Sequence, residues 1–408
     1  MAVDGIGNVY INCWGCSEIL KVNTSGDLSV FAGNGSPGFS GDGGLCTEAK
    51  FYRTTCLAFH GDGDIYIADA GNCRIRKVNS AGIVTTIAGT DQCGYNGDGI
   101  PAKYAALNYP NGIAFDSKGN LYITEEWNNR VRIVDTSGVI HTFAGTGGLG
   151  GSGDGGLAVN ARLNNPCRVA VDRQDNIYID DLGNHVIRKV DASGVIHLFA
   201  GNYHNGLDGD GGPATAASLY NPVDMALDKY GNMYISGRGS NRIRRINSSG
   251  IITTVAGNGS GIYSGDGGPA IDAGLNDPIG VAIDSCGIMY IAEFGSNRVR
   301  KVVLYQDCGP VPAGNTCRLI LPNAFTPGID KLNNVFAPLY LHSTVTSYSF
   351  SVFNRWGQRV FFSDDASKGW EGKISGGAAA GEGVYIYYVT CHMDGQTCTE
   401  KGNVTLIK

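Results

Sequence analysis

The sequence lacks long hydrophobic runs and carries few charged residues, and each shortage excludes a class of protein. No apolar stretch approaches the roughly 18 residues of a membrane span, so no transmembrane helix is predicted. Charged residues make up only 17% of the 408 residues and the formal net charge is −6, which argues against a general binder of nucleic acid or anionic membranes. Helical periodicity is nearly absent, which excludes a helical solenoid.

Glycine and cysteine, in contrast, are abundant. The 62 glycines indicate many turns, and the 12 cysteines suit an oxidising compartment better than the cytosol. The composition therefore indicates an extracellular all-β protein.

A repeat of 56 residues organises most of the chain. A Tyr-Ile pair recurs in six copies, 56 residues apart each time, at Tyr10, Tyr66, Tyr122, Tyr178, Tyr234 and Tyr290. In the third copy, four strand-like runs (GIAFD, NLYIT, RVRIVD and VIHTFAG) are separated by turn residues. Units of four strands that need neighbours on both sides are typical of a β-propeller, so the sequence predicts six blades.

The repeat is incomplete at both ends. Met1 aligns with Val281, and the sixth copy ends at RVRKVVLYQ, residues 298–306, without a fourth strand. We therefore expect the last blade to lack its outer strand. The phase also leads us to expect an N-terminally truncated fragment, in which upstream residues of a longer chain supply that strand and an export signal has been lost. A natural start at Met1 is the alternative.

The aligned copies share the pattern D-x-x-G-N-x-Y-I-x-[DE]-x-x-x-N-R-[IV]-R, as in DSKGNLYITEEWNNRVRIVD. They resemble NHL repeats. The connector GSGIYSGDGGPAIDAGL, residues 259–275, resembles that of large bacterial extracellular NHL-repeat proteins. The resemblance covers about residues 1–305 and implies a six-bladed propeller without a particular activity, because relatives include binding modules, lyases and lactonase-like proteins.

Most residues that keep the repeat are predicted to be structural. Arg-x-Arg pairs such as Arg130 with Arg132 lie on one strand face, which favours ion pairs over an RNA-binding surface. Their expected partners are the acids that end the second strand: Asp69, Glu125, Asp181 and Glu293. No cofactor is predicted. Calcium held by the Gly-Asp-Gly loops is the alternative, with the aspartates Asp42, Asp98, Asp154, Asp210 and Asp266.

Propellers usually function where the repeat is broken. On the face formed by the loops after strands two and four, the divergent residues mix aromatic and charged side chains. These candidate binding residues are Trp14, Glu126, Trp127, Arg168, Asp224, Arg238 and Phe294. Ordinary variation of a solvent-exposed surface is the other interpretation.

Support for catalysis is weaker. The propeller histidines His60, His141, His185, His197 and His204 do not share a converging set of repeat positions, and no G-x-S-x-G motif is present. No catalytic or metal-binding residue is therefore predicted, and a metal-dependent lyase or lactonase-like hydrolase is kept as the alternative function.

The cysteines do not follow the repeat. Cys391 and Cys398 flank HMDGQT, where an Asp-Gly turn places them opposite each other and predicts a disulfide. Cys308 and Cys317 bracket GPVPAGNT and are predicted to clip the linker. Cys13 and Cys16 form a C-x-x-C without a second ligand pair at zinc-finger spacing, which disfavours a metal or redox site.

The 56-residue period stops before a second domain. We predict a propeller at 1–306, a linker at 307–317 and a small β-sandwich at 318–408, whose strands are YSFSVFNRWG, QRVFFSD, GVYIYYVTCHM and CTEKGNVTLIK. Phe353, Trp356 and Trp370 are expected to be buried or half-buried.

The second domain contains LPNAFTP, FNRWGQRVF, KGWEG, GVYIYYV and a terminal GNVTLIK. In this order they resemble the type B, gliding-motility-associated C-terminal sorting domain of the type IX secretion system. One departure is GIDKLNN, which stands where Asn-Gly-Asp-Gly usually follows FTP. The resemblance implies the type IX machinery as a partner and export to the surface or medium of a Bacteroidota-like cell. The predicted function is therefore a secreted or surface-displayed propeller that binds a glycan, peptide or protein.

Overall fold

The chain forms two compact units, Met1–Tyr305 and Gln306–Lys408. The computed structural model describes residues 1–61, 63–305, 324–325, 336, 345–365, 368–374, 377–393 and 396–406. The predicted linker, with Cys308 and Cys317, lies outside the described residues.

Six antiparallel sheets, called blades 1 to 6, make up the described part of the first unit. Blade 1 contains β1 to β4, at Ala2–Val3, Val9–Cys13, Glu18–Val22 and Leu28–Ala32. Blade 2 contains β5 to β8, at Thr54–Phe59, Ile65–Asp69, Arg74–Val78 and Val84–Gly89. Blade 3 contains β9 to β13, at Ile100–Pro101, Pro110–Phe115, Leu121–Glu125, Arg130–Val134 and Val139–Ala144.

Blades 4 to 6 repeat this arrangement. Blade 4 contains β14 to β17, at Pro166–Val171, Ile177–Asp181, Val186–Val190 and Ile196–Ala200. Blade 5 contains β18 to β21, at Pro222–Leu227, Met233–Gly237, Arg242–Ile246 and Ile252–Ala256. Blade 6 contains β22 to β24, at Pro278–Ile283, Ile288–Glu293 and Arg298–Val303. Short 3₁₀ helices lie at Ala70–Asn72, Ala102–Tyr104, Glu126–Asn128, Ala158–Asn160, Leu182–Asn184, Ala214–Ala216 and Ala270–Asp272.

The blades close into a ring through their inner strands. Strand β5 contacts β10, β10 contacts β14, β14 contacts β18 and β18 contacts β22. The ring is completed because β1 contacts both β22 and β5. The predicted all-β propeller is confirmed. Among the described residues blade 6 has three strands, as expected from the incomplete sixth copy.

The D-x-x-G-N-x-Y signature is a turn held by its aspartate. In blade 3, Asp116 Oδ1 accepts hydrogen bonds from the backbone N–H groups of Lys118 and Asn120, at 3.0 and 2.8 Å. Its Oδ2 accepts from Asn120 Nδ2 at 2.7 Å and from the Tyr122 hydroxyl at 3.3 Å. One carboxylate thus satisfies the turn and the buried phenol, which explains why these residues recur together.

The hydrophobic core lies between neighbouring blades. Tyr122, Val131 and Ala144 of blade 3 pack against Leu163 and Ile179 on the blade 4 side. Similar clusters fill the other spaces between neighbouring blades from blade 1 to blade 6. The glycine of the Ala-Gly pair has a separate role within its own blade, because a Cβ on Gly145 would lie 2.4 Å from the carbonyl oxygen of Asn129, just before β12.

The arginine at the second position of the Arg-x-Arg pattern is an internal clamp, and it is kept in blade 4, where Val186 stands in place of the first arginine. In blade 4, Arg188 is fully buried; its Nη2 lies 2.8 Å from Asp154 Oδ1 and its Nη1 lies 3.7 Å from Asp181 Oδ2. Arg76, Arg132 and Arg300 pair in the same way with the predicted acids Asp69, Glu125 and Glu293. The predicted structural pairing is therefore confirmed in all four blades that carry the acid.

The described part of the second unit is a five-stranded sheet. Its strands are β25 to β29, at Ala324–Phe325, Val345–Phe353, Arg359–Ser363, Gly383–Met393 and Gln396–Leu406. They lie in the order β25-β29-β28-β26-β27, with β25 parallel to β29. Phe336 and Trp370, joined by an isolated antiparallel bridge, pack into the sheet's hydrophobic core.

Two aromatic predictions in this unit are confirmed and one is wrong. Trp370 is buried and Phe353 is half-buried, whereas Trp356 is 70% exposed. Trp356 lies in the hairpin turn between β26 and β27, where its backbone N–H donates to Asn354 Oδ1. A turn residue has no facing sheet to cover it, so its indole remains in solvent.

The cysteine predictions fare less well. Cys391 lies directly opposite Cys398, as predicted. The Cys391 thiol is free and buried, so the predicted disulfide is wrong. Facing residues in an antiparallel pair have Cβ atoms roughly 4.5–5.5 Å apart, above the roughly 3.8 Å average of disulfides. Disulfides join Cys13 to Cys16 and Cys73 to Cys93, and Cys286 is also disulfide-bonded. The C-x-x-C is therefore a disulfide in this structure.

Candidate binding site at the propeller mouth

A cavity of about 400 Å³ opens at the centre of one face of the ring, and we call it the mouth. It lies on the face of the loops that follow the second and fourth strands, and all six blades contribute to its lining. Six of the seven predicted residues line it: Trp14, Glu126, Trp127, Arg168, Arg238 and Phe294. The seventh, Asp224, contacts Arg168.

Four of these residues occupy one repeat position with different chemistries. Trp14, Glu126, Arg238 and Phe294 are separated by multiples of 56 residues and follow the second strands of blades 1, 3, 5 and 6. The same position holds Ala70 in blade 2 and Leu182 in blade 4. Equivalent backbone positions in a ring converge on its axis, so a variable position here gives the mouth a mixed lining.

Arg168 crosses the channel and forms the floor of the mouth. Its Nε donates to Asp224 Oδ1 at 3.1 Å, and its Nη2 donates to the Thr55 carbonyl at 3.0 Å. Its Nη1 donates to the carbonyl and the side-chain oxygen of Asn111. The guanidinium therefore connects blade 4 with blades 2, 3 and 5. Burial acts to lower the pKa of Arg168, but the Asp224 carboxylate raises it above its usual range.

Asp180 is a buried acid next to this floor. It faces Arg168 in the pairing of β14 with β15, and its side chain is fully buried. Neither carboxyl oxygen has a hydrogen-bond partner among the described residues. Burial raises its pKa well above the ordinary value of 3.8, although the Arg168 charge acts in the opposite direction. Burial therefore shifts the equilibrium of this carboxyl toward its neutral form.

Aromatic side chains form the walls of the mouth. The indole of Trp127 stacks on Tyr109, with ring centroids 4.6 Å apart and an interplanar angle of 14°. Trp14, Trp127 and Phe294 remain 45%, 58% and 46% exposed. In the five other blades, the position of Trp127 is glycine: Gly15, Gly71, Gly183, Gly239 and Gly295. Trp127 is thus an addition that the repeat does not require.

The sequence did not single out Tyr109, which lines the mouth, or Arg53, which contacts Trp14 at its rim. Both precede an inner strand with positive φ, 50° for Tyr109 and 51° for Arg53. The same position holds Asn165, Asn221 and Asp277, the residue types that tolerate this conformation. Tyrosine and arginine at this position therefore differ from the asparagine and aspartate of the other copies. Aligned copies show this difference, but its meaning is clear only once the left-handed conformation is known.

Polar groups lie between the aromatic walls. Glu126 Oε2 accepts from Asn111 Nδ2 at 2.6 Å, and burial raises the pKa of Glu126. Both amide atoms of Asn12 and the hydroxyl of Thr54 are buried without a hydrogen-bond partner in the described part of the chain. Buried polar atoms normally find partners, so these three atoms leave unused hydrogen-bonding capacity in the lining.

The guanidinium groups at the rim already contact other side chains. The Arg53 guanidinium lies 5.2 Å from the Trp14 ring centroid, and that of Arg238 lies 5.6 Å from Phe294. Arg238 also pairs with Asp277 at 3.3 Å. Cationic groups thus already lie against two of the aromatic walls.

The opposite face of the ring carries a larger cavity of about 810 Å³. Its lining includes Asp172, Asp228 and Asp284, which hold the repeated turns, and Tyr178. These residues belong to the repeat, and the carboxylates of the three aspartates already accept hydrogen bonds within their own blades.

The propeller histidines do not meet. His141 and His197 lie on outer strands beside Asp135 and Asp191, and His185 is a left-handed residue after a 3₁₀ turn. None of the five lines the mouth. Among the described residues, no group of three or more His, Cys, Asp or Glu is arranged to hold a metal.

The Gly-Asp-Gly loops hold arginine rather than offering a calcium shell. Asp42, Asp98 and Asp210 each contact the second arginine of the next blade, at 2.7, 2.8 and 2.6 Å. A guanidinium at the carboxylate repels a cation and occupies its ligand oxygen. The residues present do not fit the calcium alternative.

Both parts of the chain are similar to known proteins. Residues 319–406 match the model of the type IX secretion signal domain, and residues 80–152, 150–207 and 202–264 match the teneurin NHL domain. Teneurin-4 of Mus musculus is 31% identical over 278 residues, covering 59% of this chain and 10% of that protein. Teneurin-1 of Gallus gallus is 30% identical over 276 residues, covering 58% and 10%. The chain thus spans about a tenth of the length of the curated relatives it matches.

A solved structure supports the fold. An auxiliary nutrient binding protein from Bacteroides thetaiotaomicron superposes with a TM-score of 0.52 at 14% identity, covering 72% of this chain and 65% of that chain. In the described part of this chain, no helix has the length and hydrophobicity needed to cross a membrane.

Proposed function

We propose a ligand-binding function for this chain, a secreted or cell-surface protein that combines an NHL-repeat β-propeller with a type IX secretion signal domain. The proposed ligand is a glycan, a peptide or a segment of another protein, and its binding site is the mouth. In this account the second domain directs export through the type IX machinery, and the propeller supplies the activity outside the cell.

The observation that carries the proposal is the convergence of residues that break the repeat. Trp14, Glu126, Trp127 and Phe294 come from three blades and line one cavity. Random surface variation would be spread over the ring, whereas binding requires side chains that face a common space.

The size and character of the mouth also favour binding. A volume of about 400 Å³ falls within the range of roughly 300–1,000 Å³ typical of small-ligand sites. Exposed tryptophans provide rigid contact area at low entropic cost, and such residues dominate many binding sites.

A binding screen with a matched pair of variants tests the proposal. The full chain is screened against glycan and peptide libraries, and each hit is measured again with Trp127→Gly and Tyr104→Ala. Trp127→Gly restores the residue of the other five blades, so the fold should tolerate it. Tyr104 is 60% exposed and lies away from the mouth, so it controls for the loss of an exposed aromatic.

We expect hits whose affinity falls by about tenfold or more in Trp127→Gly and is unchanged in Tyr104→Ala. Ligands that bind both variants as tightly as the original chain would place binding elsewhere and contradict the proposal. Thermal unfolding of each variant shows whether the fold is intact.

A further inference from the structure

We infer that the ligand of the mouth is a saccharide, held by one or two sugar rings. This inference rests on the proposed binding function and deepens it by naming the ligand class. It follows from four properties of the mouth: a closed floor, flat aromatic walls, unpaired polar groups, and cations already placed on two of the walls.

The closed floor limits what can enter. The Arg168 side chain spans the channel from Asp224 to Thr55 and Asn111, so an extended chain cannot thread through the ring. A cavity of about 400 Å³ above this floor admits a compact group of one or two rings. The terminal part of an oligosaccharide meets this limit.

The walls match the two faces of a sugar ring. The stacked pair of Trp127 and Tyr109 provides a rigid flat surface, and Trp14 and Phe294 face the same cavity from other blades. Sugar rings carry C–H groups on their faces, which pack favourably against the electron-rich face of an aromatic ring. Their hydroxyl groups point outward around the edge of the ring.

The unpaired polar groups match those hydroxyls. A hydroxyl both donates and accepts, and the Asn12 amide offers one donor group and one acceptor group that have no partner in the described chain. Glu126 has its Oε2 bonded to Asn111, and no described donor bonds to its Oε1. Hydroxyls placed here would satisfy groups that are costly to leave unpaired in a buried site.

The charges disfavour the other ligand that aromatic walls often bind, a quaternary ammonium. Arg53 already lies 5.2 Å from the Trp14 ring centroid and Arg238 lies 5.6 Å from that of Phe294. A further cation at either ring would face the positive charge of the guanidinium already there. A neutral or acidic sugar meets no such repulsion.

Calorimetric titration of the full chain tests the ligand class. The probes are neutral oligosaccharides, oligosaccharides containing uronic acids, a choline salt, and a pool of unmodified peptides. Each is measured with the original chain, Trp127→Gly, Asn12→Ala and the control Tyr104→Ala. Asn12→Ala introduces the residue that stands at the same repeat position in blades 2 and 6, Ala68 and Ala292, so the fold should tolerate it.

We expect at least one saccharide class to bind, with an affinity about tenfold or more weaker in Trp127→Gly and in Asn12→Ala. Binding restricted to the uronic acids and lost in Arg53→Ala would identify an acidic sugar, and equal binding of both classes would identify recognition of the ring itself. Either result supports the inference.

Two other outcomes overturn it and separate it from the proposed function. Peptides or choline that bind in a Trp127-dependent way, while no saccharide binds, would refute the saccharide and leave the mouth as the binding site. Saccharides that bind the Trp127→Gly and Asn12→Ala variants normally would refute both the ligand site and the proposed function of the mouth.

Discussion

Arg168 is the residue on which the geometry of the mouth most depends. A single guanidinium links four blades and leaves the Asp224 side chain only 10% exposed. Asp224 also accepts hydrogen bonds from the backbone N–H groups of Met225 and Val281, at 3.0 Å each. The pair therefore fixes the inner strands of blades 4 to 6, and the floor is part of the scaffold as well as of the cavity.

We expect Arg168→Met to lower the free energy of unfolding by about 3–5 kcal/mol, because it leaves the Asp224 carboxylate buried without its counter-ion. The matched control is Arg238→Met, whose side chain is 53% exposed in its pair with Asp277. That change should cost less than about 1 kcal/mol. Urea unfolding of both variants measures the difference, and equal losses would show that Arg168 does not hold the ring.

The raised pKa of Asp180 leads to a prediction of how the stability of the protein depends on pH. Because burial raises its pKa above 3.8, the folded protein holds the proton more tightly than the unfolded chain. Its contribution is therefore complete below about pH 4 and is lost as the pH rises through the raised pKa. The buried acids Asp69, Glu125 and Asp181, with pKa values raised by burial to about 6, 7 and 7, act in the same direction.

Asp180→Ser introduces the residue found at the same position in blade 5, Ser236, and removes one of these acids. We expect the variant to be more stable than the original chain by about 1–3 kcal/mol at pH 8, because an unpaired buried carboxyl is removed. The difference should shrink toward pH 5. Thermal unfolding at the two pH values measures it, and identical pH profiles would show that Asp180 is not the titrating group.

Residue chemistry explains which parts of the mouth could be predicted from sequence. Trp127 and Arg168 stand out because aligned copies carry different residues at their positions, and this comparison needs no coordinates. Tyr109 and Asn12 do not stand out, because their roles depend on a left-handed backbone and on the absence of hydrogen-bond partners. The first is a backbone conformation that the aligned copies share, and the second is set by the atoms that surround Asn12 in the folded ring, so neither can be recognised from residue types alone.

At the scale of elements, the blades differ in how well their arginine clamps are covered. Arg188 of blade 4 is fully buried and its partner Asp154 is 31% exposed. Arg300 of blade 6 is 10% exposed and its partner Asp266 is 61% exposed. The difference follows the strand count, because in the described residues blade 6 has no fourth strand over this pair.

Replacing the arginine of each clamp should therefore lower the free energy of unfolding by different amounts. Arg188→Met should lower the free energy of unfolding by about 3–5 kcal/mol, since two acids remain near a buried, uncharged side chain. Arg300→Met should cost at least about 1 kcal/mol less, because solvent screens Asp266 in the variant. Urea unfolding of the two proteins provides the comparison, and a larger loss for Arg300→Met would contradict this account of the blades.

The strands themselves were largely predictable, and the cysteine pairs were not. Alternating residues and turn signals act over a few positions, so the four strands of each complete blade follow from local sequence. The Cys73–Cys93 disulfide depends instead on the path of the connector between blades 2 and 3. Cys391 shows the same limit, because a correct strand register did not determine whether the sulfur atoms bond.

For the whole molecule, we propose separate functions for the two parts. The C-terminal match to a type IX secretion signal domain accounts for export, and the NHL propeller contributes the proposed recognition. Removing residues 319–408 should therefore prevent the protein from reaching the surface or medium of a cell with a type IX system. Immunoblots of cell and medium fractions measure this, with full-length Trp127→Gly as the control that should be exported. Export of the truncated chain at the level of the full chain would contradict the division of roles.

Hydrogen–deuterium exchange of the full chain, with and without an oligosaccharide found in the screen, tests the central claim most directly. We predict slower exchange for residues 109–112 and 126–128, which line the mouth or adjoin it. Residues 172–176 and 228–231, around the cavity on the opposite face, should be unchanged. Protection confined to the opposite face would show that the ligand binds there, and the mouth would then have no role in recognition.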